Sequence, residues 1–417
     1  HILEETEEQG GITILRRLLR YCDKIYGLED VIEAIEDERI RPSISTETVV
    51  KSALVMCLAR MGSLNALEQT DGRRFWKEWI DSKLPSADTM GRVFAQIEEE
   101  TIQEGIYHIY SRLRRNKVLR PFAEGMIGLI IDGHESSASY DRRCEGCLQR
   151  RIETEKGEII QYYHRQVTAV LLCKDFQVLL DSEDQKPGED EVAAAIRLLE
   201  RVLKKSPRAF EVVIVDGLYA RANFFKFVVE AGKEIIAVLK DDRRELMQDA
   251  RGLFKYEKPT VTQCGNTRRE CWDIEHFNSW EQFGEDVRVV RSIETTVTKS
   301  QLNGEEVEKV SEWVWVTTLS KEKACTETVV SFGHGRWKIE NNGFNELVNE
   351  WSADHVYKHE PRAIKTFYLI TMMAYNLFHA FIGRNIKALL RCRHTYKHWA
   401  SVIAAELYNE IPQTTYG

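Results

Sequence analysis

Two aspartates and a glutamate are the residues of this 417-residue sequence best suited to chemistry. Asp132 closes the apolar run MIGLIID, Asp216 closes FEVVIVD, and each is followed by glycine. Both runs read as buried strands that end in a carboxylate. Glu340 lies in GRWKIENNGFNEL, a helical context. Carboxylate oxygens suit Mg²⁺ or Mn²⁺, and acids from distant segments can hold such ions if the fold gathers them. A pair of divalent ions ~3.5–4 Å apart activates an attacking oxygen and stabilises a leaving one in phosphoryl transfer. Taken singly, each aspartate also fits a turn or a helix cap. Glu346 and Glu350 rival Glu340 on the same segment, and spacing alone does not choose among them.

A second constellation is Cys144-Glu-Gly-Cys147, flanked by Arg142, Arg143, Arg150 and Arg151. CxxC supplies half of a zinc site. His134, His164, or the distant Cys264 and Cys271 could complete it, and zinc there would pin the loop after the first strand. Thioredoxin-like chemistry is disfavoured, because that motif opens a helix directly after a strand, whereas Cys144 follows Asp132 by twelve residues. His355 and His359 are one turn apart if their segment is helical. Without an HExxH pattern they read as a structural pair. Trp313 and Trp315 alternate with Val314 and Val316, so they share one strand face, and packing accounts for at least one of them.

These residues need elements to position them. Residues 1–120 read as helical, with Ser45 or Thr46 capping VVKSALVMCLARM and Ser86 capping SADTMGRVFAQIEEE. Short helices with tight turns fit either a helix-turn-helix DNA reader or a bundle packed on the rest. Residues 121–240 alternate strands and helices. The strand ending at Asp132 precedes QYYHRQVTAVLLC and FQVLLDSE, which flank a hairpin-like Lys174-Asp175. GEDEVAAAIRLLERVLKK is a helix with acids first and bases last, as its dipole prefers. FEVVIVDG, a helix over 219–231 stopped by Gly232, and EIIAVLK follow. This β-β-β-α-β-α-β order is the RNase H-like one, an α/β fold with a mixed sheet and flanking helices. Residues 241–325 are rich in Trp, Thr and Val and read as a β-rich insertion, with a turn at Asn303-Gly304. Residues 326–417 return to helix, and FYLITMMAYNLFHAFIG reads as core.

The bulk numbers fit this division. A 43% hydrophobic and 30% charged chain is ordinary globular protein. No run approaches the ~18 apolar residues of a membrane span. HILEETEEQGG lacks the basic-then-apolar layout of a secretion signal, so a cytoplasmic location is expected. Nine cysteines, mostly single and in apolar context, are not a disulfide scaffold. Net charge is −8, but Pro361 to Ala405 contains no acid while Arg362, Lys365, Arg384, Lys387, Arg391, Arg393 and Lys397 are basic. A phosphate-binding surface needs only local positive potential.

The two strand-Asp-Gly units together with Arg336-Trp337-Lys338-Ile339-Glu340 resemble the bacterial insertion-sequence transposases of the DDE type, the IS-four-like superfamily with a β-rich insertion in an RNase H-like core. Their last acid lies in Tyr-x-x-Arg-x-x-x-Glu-x-x-x-x-x-x-Lys. Arg336 and Glu340 match its centre, Trp337 and Ile339 match its apolar neighbours, and Gly333 and Leu347 stand at the Tyr and Lys positions. The resemblance covers roughly residues 45 to 385. It implies that Asp132, Asp216 and Glu340 bind two Mg²⁺ or Mn²⁺ ions. It also implies cleavage at a mobile element's ends, followed by attack of the freed 3′-hydroxyl on target DNA. Arg336 would hold a phosphate, Trp313 would stack an extruded base, and Arg142, Arg143 and Lys240 would contact DNA. The expected assembly is a homodimer on paired DNA ends, nucleoid-associated when bound. A nuclease without strand transfer needs the same acids, and a domesticated, catalytically silent DNA-binding protein is the rival of another class.

Overall fold

The computed structural model describes residues 13–155, 157–240, 244–299, 306–338 and 345–409. The chain first forms α1 (Ile14–Tyr26), α2 (Leu28–Glu33), α3 (Thr46–Leu58), α4 (Leu64–Glu68), α5 (Arg74–Ile80), α6 (Ala87–Phe94) and α7 (Glu99–Arg115). Ser45 and Ser86 cap α3 and α6 by accepting from the backbone N–H of Thr48 and Thr89.

Then come β1 (Gly128–Ser139), β2 (Leu148–Thr154), β3 (Gly157–Leu172), β4 (Gln177–Asp184), α8 (Glu191–Lys205) and β5 (Val212–Val215). A 3₁₀ turn (Gly217–Tyr219), α9 (Ala222–Glu230) and β6 (Glu234–Val238) follow. Gly232, at φ +72°, ends α9 as its type predicts. The next elements are α10 (Glu245–Leu253), β7 (Thr260–Cys264), β8 (Thr267–Phe277), β9 (Val287–Lys299) and β10 (Glu306–Thr317). The described chain closes with α11 (Thr326–Lys338), α12 (Asn345–Trp351), α13 (Pro361–Asn385), α14 (Ala388–Arg393) and α15 (Tyr396–Asn409).

Leu129, Ile130 and Ile131 of β1 are fully buried, as befits a central strand covered on both faces. β1 and β5 pair in parallel, as do β5 and β6, while β3 pairs antiparallel with β1 and β4 with β3. The order β4-β3-β1-β5-β6 is the RNase H-like sheet. The insertion continues it: β10 pairs antiparallel with β6, and β9, β8 and β7 extend the edge.

Two expectations change. β1 does not end at Asp132 but runs to Ser139, because the 16-residue β3 gives it an unbroken partner through the Asp-Gly step. β2, largely exposed and lacking an apolar run, is an additional strand on the same edge of β3 as β4. The expected turn at Asn303-Gly304 lies outside the described residues.

The N-terminal helices and the sheet share α13 as their core. Every residue from Ala363 to Ile382 is buried, and so is every residue of α3 from Thr48 to Leu58. α3 therefore offers no open face for reading a DNA groove, which favours the packed-bundle reading for this helix. Among the described residues, no helix is long and apolar enough to cross a membrane. α13 also completes an edge strand. The Asn376 side chain accepts from the Leu179 N–H at 2.9 Å and donates to the Leu179 carbonyl at 2.7 Å. It thus satisfies two buried backbone groups that β4 has no further strand to satisfy. Replacing Asn376 by Leu strands both, and should cost about 2–4 kcal/mol in urea denaturation. A loss below ~1 kcal/mol would refute this edge-completing role.

Candidate active site

Strand periodicity sorts the site. Side chains two apart on β1 share a face. A Cβ on Gly128 would meet Phe332 of α11 at 3.1 Å, so Gly128, Ile130 and Asp132 face α11. Gly133 faces the other way, where a Cβ would lie 2.5 Å from the Glu191 carboxyl. In the parallel register Ile130 pairs with Ile214. Two residues further on stand Asp132, still on β1, and Asp216, in extended backbone just past the end of β5, and the Arg336 charge acts on both.

α11 supplies the cation between them. Arg336, only 3% exposed, donates from Nη1 to Asp132 Oδ2 at 3.1 Å. The Gly133 N–H donates to Asp132 Oδ1 at 3.0 Å. Asp216 Oδ1 accepts from the Gly217 N–H at 2.5 Å and lies 3.0 Å from Lys240 Nζ. Burial works to raise the Asp216 carboxyl. The Gly217 N–H, Lys240 and the Arg336 charge outweigh it and hold the group below the usual carboxylate range. Arg336 is thus buried against Asp132, whereas Lys240 is 63% exposed at the rim.

Beneath this pair lies a network that the residue pattern did not single out. Glu191, first residue of α8, accepts from Tyr219 Oη at 2.5 Å and from Arg165 Nη1 at 2.9 Å. Tyr219 belongs to the turn that starts at Asp216, and Arg165 lies on β3. In the sequence, Glu191 is indistinguishable from a helix-start acid that complements the dipole. The glycine after Asp132 was its signal, because only a residue without Cβ leaves room for that carboxyl.

α11 can approach so closely because it presents glycines. A Cβ on Gly335 would lie 2.5 Å from Leu172 Cδ2, and one on Gly333 would lie 2.3 Å from the Trp315 indole. Trp315 is fully buried and stacks with half-buried Trp313, their planes 5° apart. Trp337, 45% exposed, continues the aromatic row beyond Trp313, so packing does account for Trp315. His334 of α11 binds Glu294 of β9 at 2.7 Å, and Arg269 of β8 holds both Glu294 and Glu327 of α11. The insertion therefore clamps the helix that carries Arg336.

Of the third acid and its rivals, Glu340 lies outside the described residues. Glu346 accepts from Arg60 at 2.9 Å and from Trp351 Nε1 at 3.1 Å, and Glu350 also pairs with Arg60. Leu347, at the signature's Lys position, is buried. Arg142 and Arg143 are exposed in the β1–β2 loop.

The cysteine pair gathers different partners from most of those considered. Ligating atoms of Cys144, Cys147, His164 and His359 lie within 4.8 Å of one another. His134 instead packs on Tyr368, and burial, with Lys365 and Arg165 nearby, pushes its imidazole down to about 4. Cys264 is exposed on β7, while Cys271 on β8 faces Ser292. The expected His355/His359 pair does not form. Their segment is not helical, and His355 packs on Tyr357 while His359 joins the cysteines.

An RNase H-like sheet with Asp132 on its central strand, Asp216 just past the neighbouring parallel strand and an arginine from a crossing helix against Asp132 is the arrangement that the resemblance to DDE transposases implies. The transposase DDE domain family matches residues 125–377, from just before β1 into α13, and the chain belongs to that family. A search of curated proteins finds no match.

Two measurements test the scaffold. Burial works to raise the Glu294 carboxyl, but His334 and Arg269 outweigh it and hold it at about 2. A folded value below the free value of ~4.3 stabilises the fold above that pH, and the gain is lost as pH falls towards 2. The urea midpoint of Glu294→Gln should therefore lie below wild type near neutrality, with the gap closing on acidification. A gap independent of pH would overturn this account. Gly333→Ala should destabilise by about 1–3 kcal/mol in the same assay, because the buried indole has nowhere to retreat.

Proposed function

We propose that this chain cleaves DNA at the ends of a mobile element and joins the freed 3′-hydroxyl to target DNA. In this reading Asp132, Asp216 and Glu340 bind two Mg²⁺ or Mn²⁺ ions. The observation that carries it is that Asp132 and Asp216 each stand two residues beyond the parallel pair Ile130–Ile214, with the Arg336 charge acting on both. The donor set fits hard divalent ions, since both side chains offer carboxylate oxygens and Asp216 is kept ionised. Bound there, such ions would activate the attacking oxygen and stabilise the leaving one.

The protein's own groups prepare the site. The Gly133 and Gly217 N–H groups orient the two carboxylates, and Arg336 positions Asp132 from the sheet face. Exposed Lys240 would turn from Asp216 to a DNA phosphate. Glu346 and Glu350 are engaged by Arg60, which supports Glu340 as the third acid. Arg142 and Arg143 would contact the DNA backbone. So would the exposed Arg384, Lys387, Arg391, Arg393 and Lys397 around α14. Trp313 and the neighbouring Trp337 would stack a displaced base, a contact worth ~1–3 kcal/mol. Residues 1–120 would form the DNA-binding or dimerisation region, 121–240 and 326–417 the catalytic core, and 241–325 the insertion. The working assembly would be a homodimer in the cytoplasm, on the nucleoid when bound.

The test is cleavage of a labelled duplex carrying the element's own ends, with Mg²⁺ or Mn²⁺. Asp132→Asn, Asp216→Asn and Glu340→Gln should each lower nicking by at least ~10²-fold while gel-shift binding persists. Glu346→Gln should still cut. Joined target product supports transposition. Nicking that never yields joined product turns the reading to a nuclease, and binding without any nicking turns it to a silent DNA-binding protein.

A further inference from the structure

Four soft or borderline ligands converge in a cluster that includes none of the acids. Cys144 and Cys147 lie in the β1–β2 loop, His164 on β3, and His359 two residues before α13. Cys144 Sγ is 3.5 Å from Cys147 Sγ and 3.2 Å from His164 Nε2. Cys147 Sγ is 3.4 Å from His164 Nε2 and 3.3 Å from His359 Nε2. Tetrahedral zinc with Zn–S of ~2.3 Å and Zn–N of ~2.0–2.1 Å requires ligand–ligand edges of about 3.3–3.8 Å. Four of the six edges fall in or next to that range, and all six lie within 4.8 Å. The sulfurs are too far apart for a disulfide, whose S–S length is ~2.05 Å.

The surroundings are built for this geometry. The Cys144 N–H donates to Cys147 Sγ at 3.2 Å, and the Cys147 N–H donates to the Cys144 carbonyl at 3.2 Å, so the CxxC segment is a closed turn. Gly146 lets that turn sit on α13: a Cβ there would lie 3.0 Å from Pro361 and 3.4 Å from His164. Cys147 and His164 are buried. Two thiolates and two neutral imidazoles balance a divalent ion, which leaves the buried cluster without net charge. Thiolate with imidazole selects zinc over the hard ions suited to the aspartates.

We propose that Cys144, Cys147, His164 and His359 bind one structural zinc ion, which fastens the β1–β2 loop to the segment entering α13. The ion closes a link between residues 212 apart in sequence. One side of that link is the loop that follows the strand of Asp132. The other is the chain that returns from the Glu340 segment to the core. Arg142, whose charge acts on His359, and its neighbour Arg143 are held at the surface by the same turn. The site does not depend on the acids being catalytic, so it stands or falls separately from the proposed activity.

The experiment is metal analysis of the full-length protein purified without chelator, with no DNA present. Wild type and Cys264→Ser, whose thiol lies on distant β7, should carry about one zinc per chain. Cys144→Ser and His359→Ala should lose most of it. His359→Cys guards against mere misfolding, because a Cys₃His set still binds zinc and should restore the content. Cobalt loaded in place of zinc should give thiolate-to-metal charge-transfer absorption that strengthens in His359→Cys. Chelation should lower the thermal midpoint of wild type and leave that of Cys144→Ser unchanged. Wild type free of zinc, or with Cys144 and Cys147 joined as a disulfide in peptide mapping, would overturn the proposal. Full zinc in His359→Ala would overturn the link to α13.

Discussion

Two carboxylates of like charge must be held side by side, and the architecture around Asp132 and Asp216 follows from that constraint. Neighbouring strands are ~4.8 Å apart, and at an effective dielectric of about 20 two full charges at that distance repel by roughly 3 kcal/mol. The fold offsets this with charges whose positions it controls. Arg336 is buried and faces both acids, and Lys240 meets Asp216 from the chain just beyond β6. Backbone N–H groups of the two following glycines take one oxygen each. Asp216 is thereby kept ionised and both carboxylates are aimed, which suits hard-cation binding.

Placing Arg336 requires a helix pressed hard against the sheet, and that accounts for features that otherwise look unrelated. Gly333 and Gly335 remove the side chains that would hold α11 away, and Trp315 and Leu172 occupy the space. The insertion then grips the helix from the side through Glu294, His334, Arg269 and Glu327. Because β10 hydrogen-bonds to β6, the insertion is an extension of the RNase H-like sheet. A shift of that edge would be transmitted to Arg336 and so to Asp132. Among the described residues nothing comparable anchors Lys240, which sits exposed at the rim.

Much of this was legible in the residues because the signals were local. An apolar run ending in Asp-Gly has few readings, and two such runs separated by strands and helices specify where they must meet in an RNase H-like sheet. Serine caps and Gly232 marked helix ends for the same reason. What stayed hidden depended on partners far away in the chain. The apolar run before Asp132 reads as a strand that ends there, but the length of β3 carries β1 on to Ser139. Glu191 looks like any acid at a helix start, and only the packing shows it filling the space under Gly133. His359 sits at a spacing from His355 that suggests a helical pair. Its real partners, Cys144 and Cys147, lie in the loop after β1, and no periodicity links those positions.

The departures from the family signature are physically coherent. A tyrosine at position 333 cannot coexist with Trp315, since the indole already stands where its Cβ would be. The aromatic bulk that the signature places on the helix is here supplied by the neighbouring strand. Leu347 follows the same logic. It is buried, and a lysine there would bring an unpaired ammonium into apolar packing, a cost of several kcal/mol unless it were neutralised. Neither position could therefore be restored alone to the signature residue without rebuilding its surroundings. Trp337, next to Arg336 in the chain, and Lys240, paired with Asp216, are both exposed.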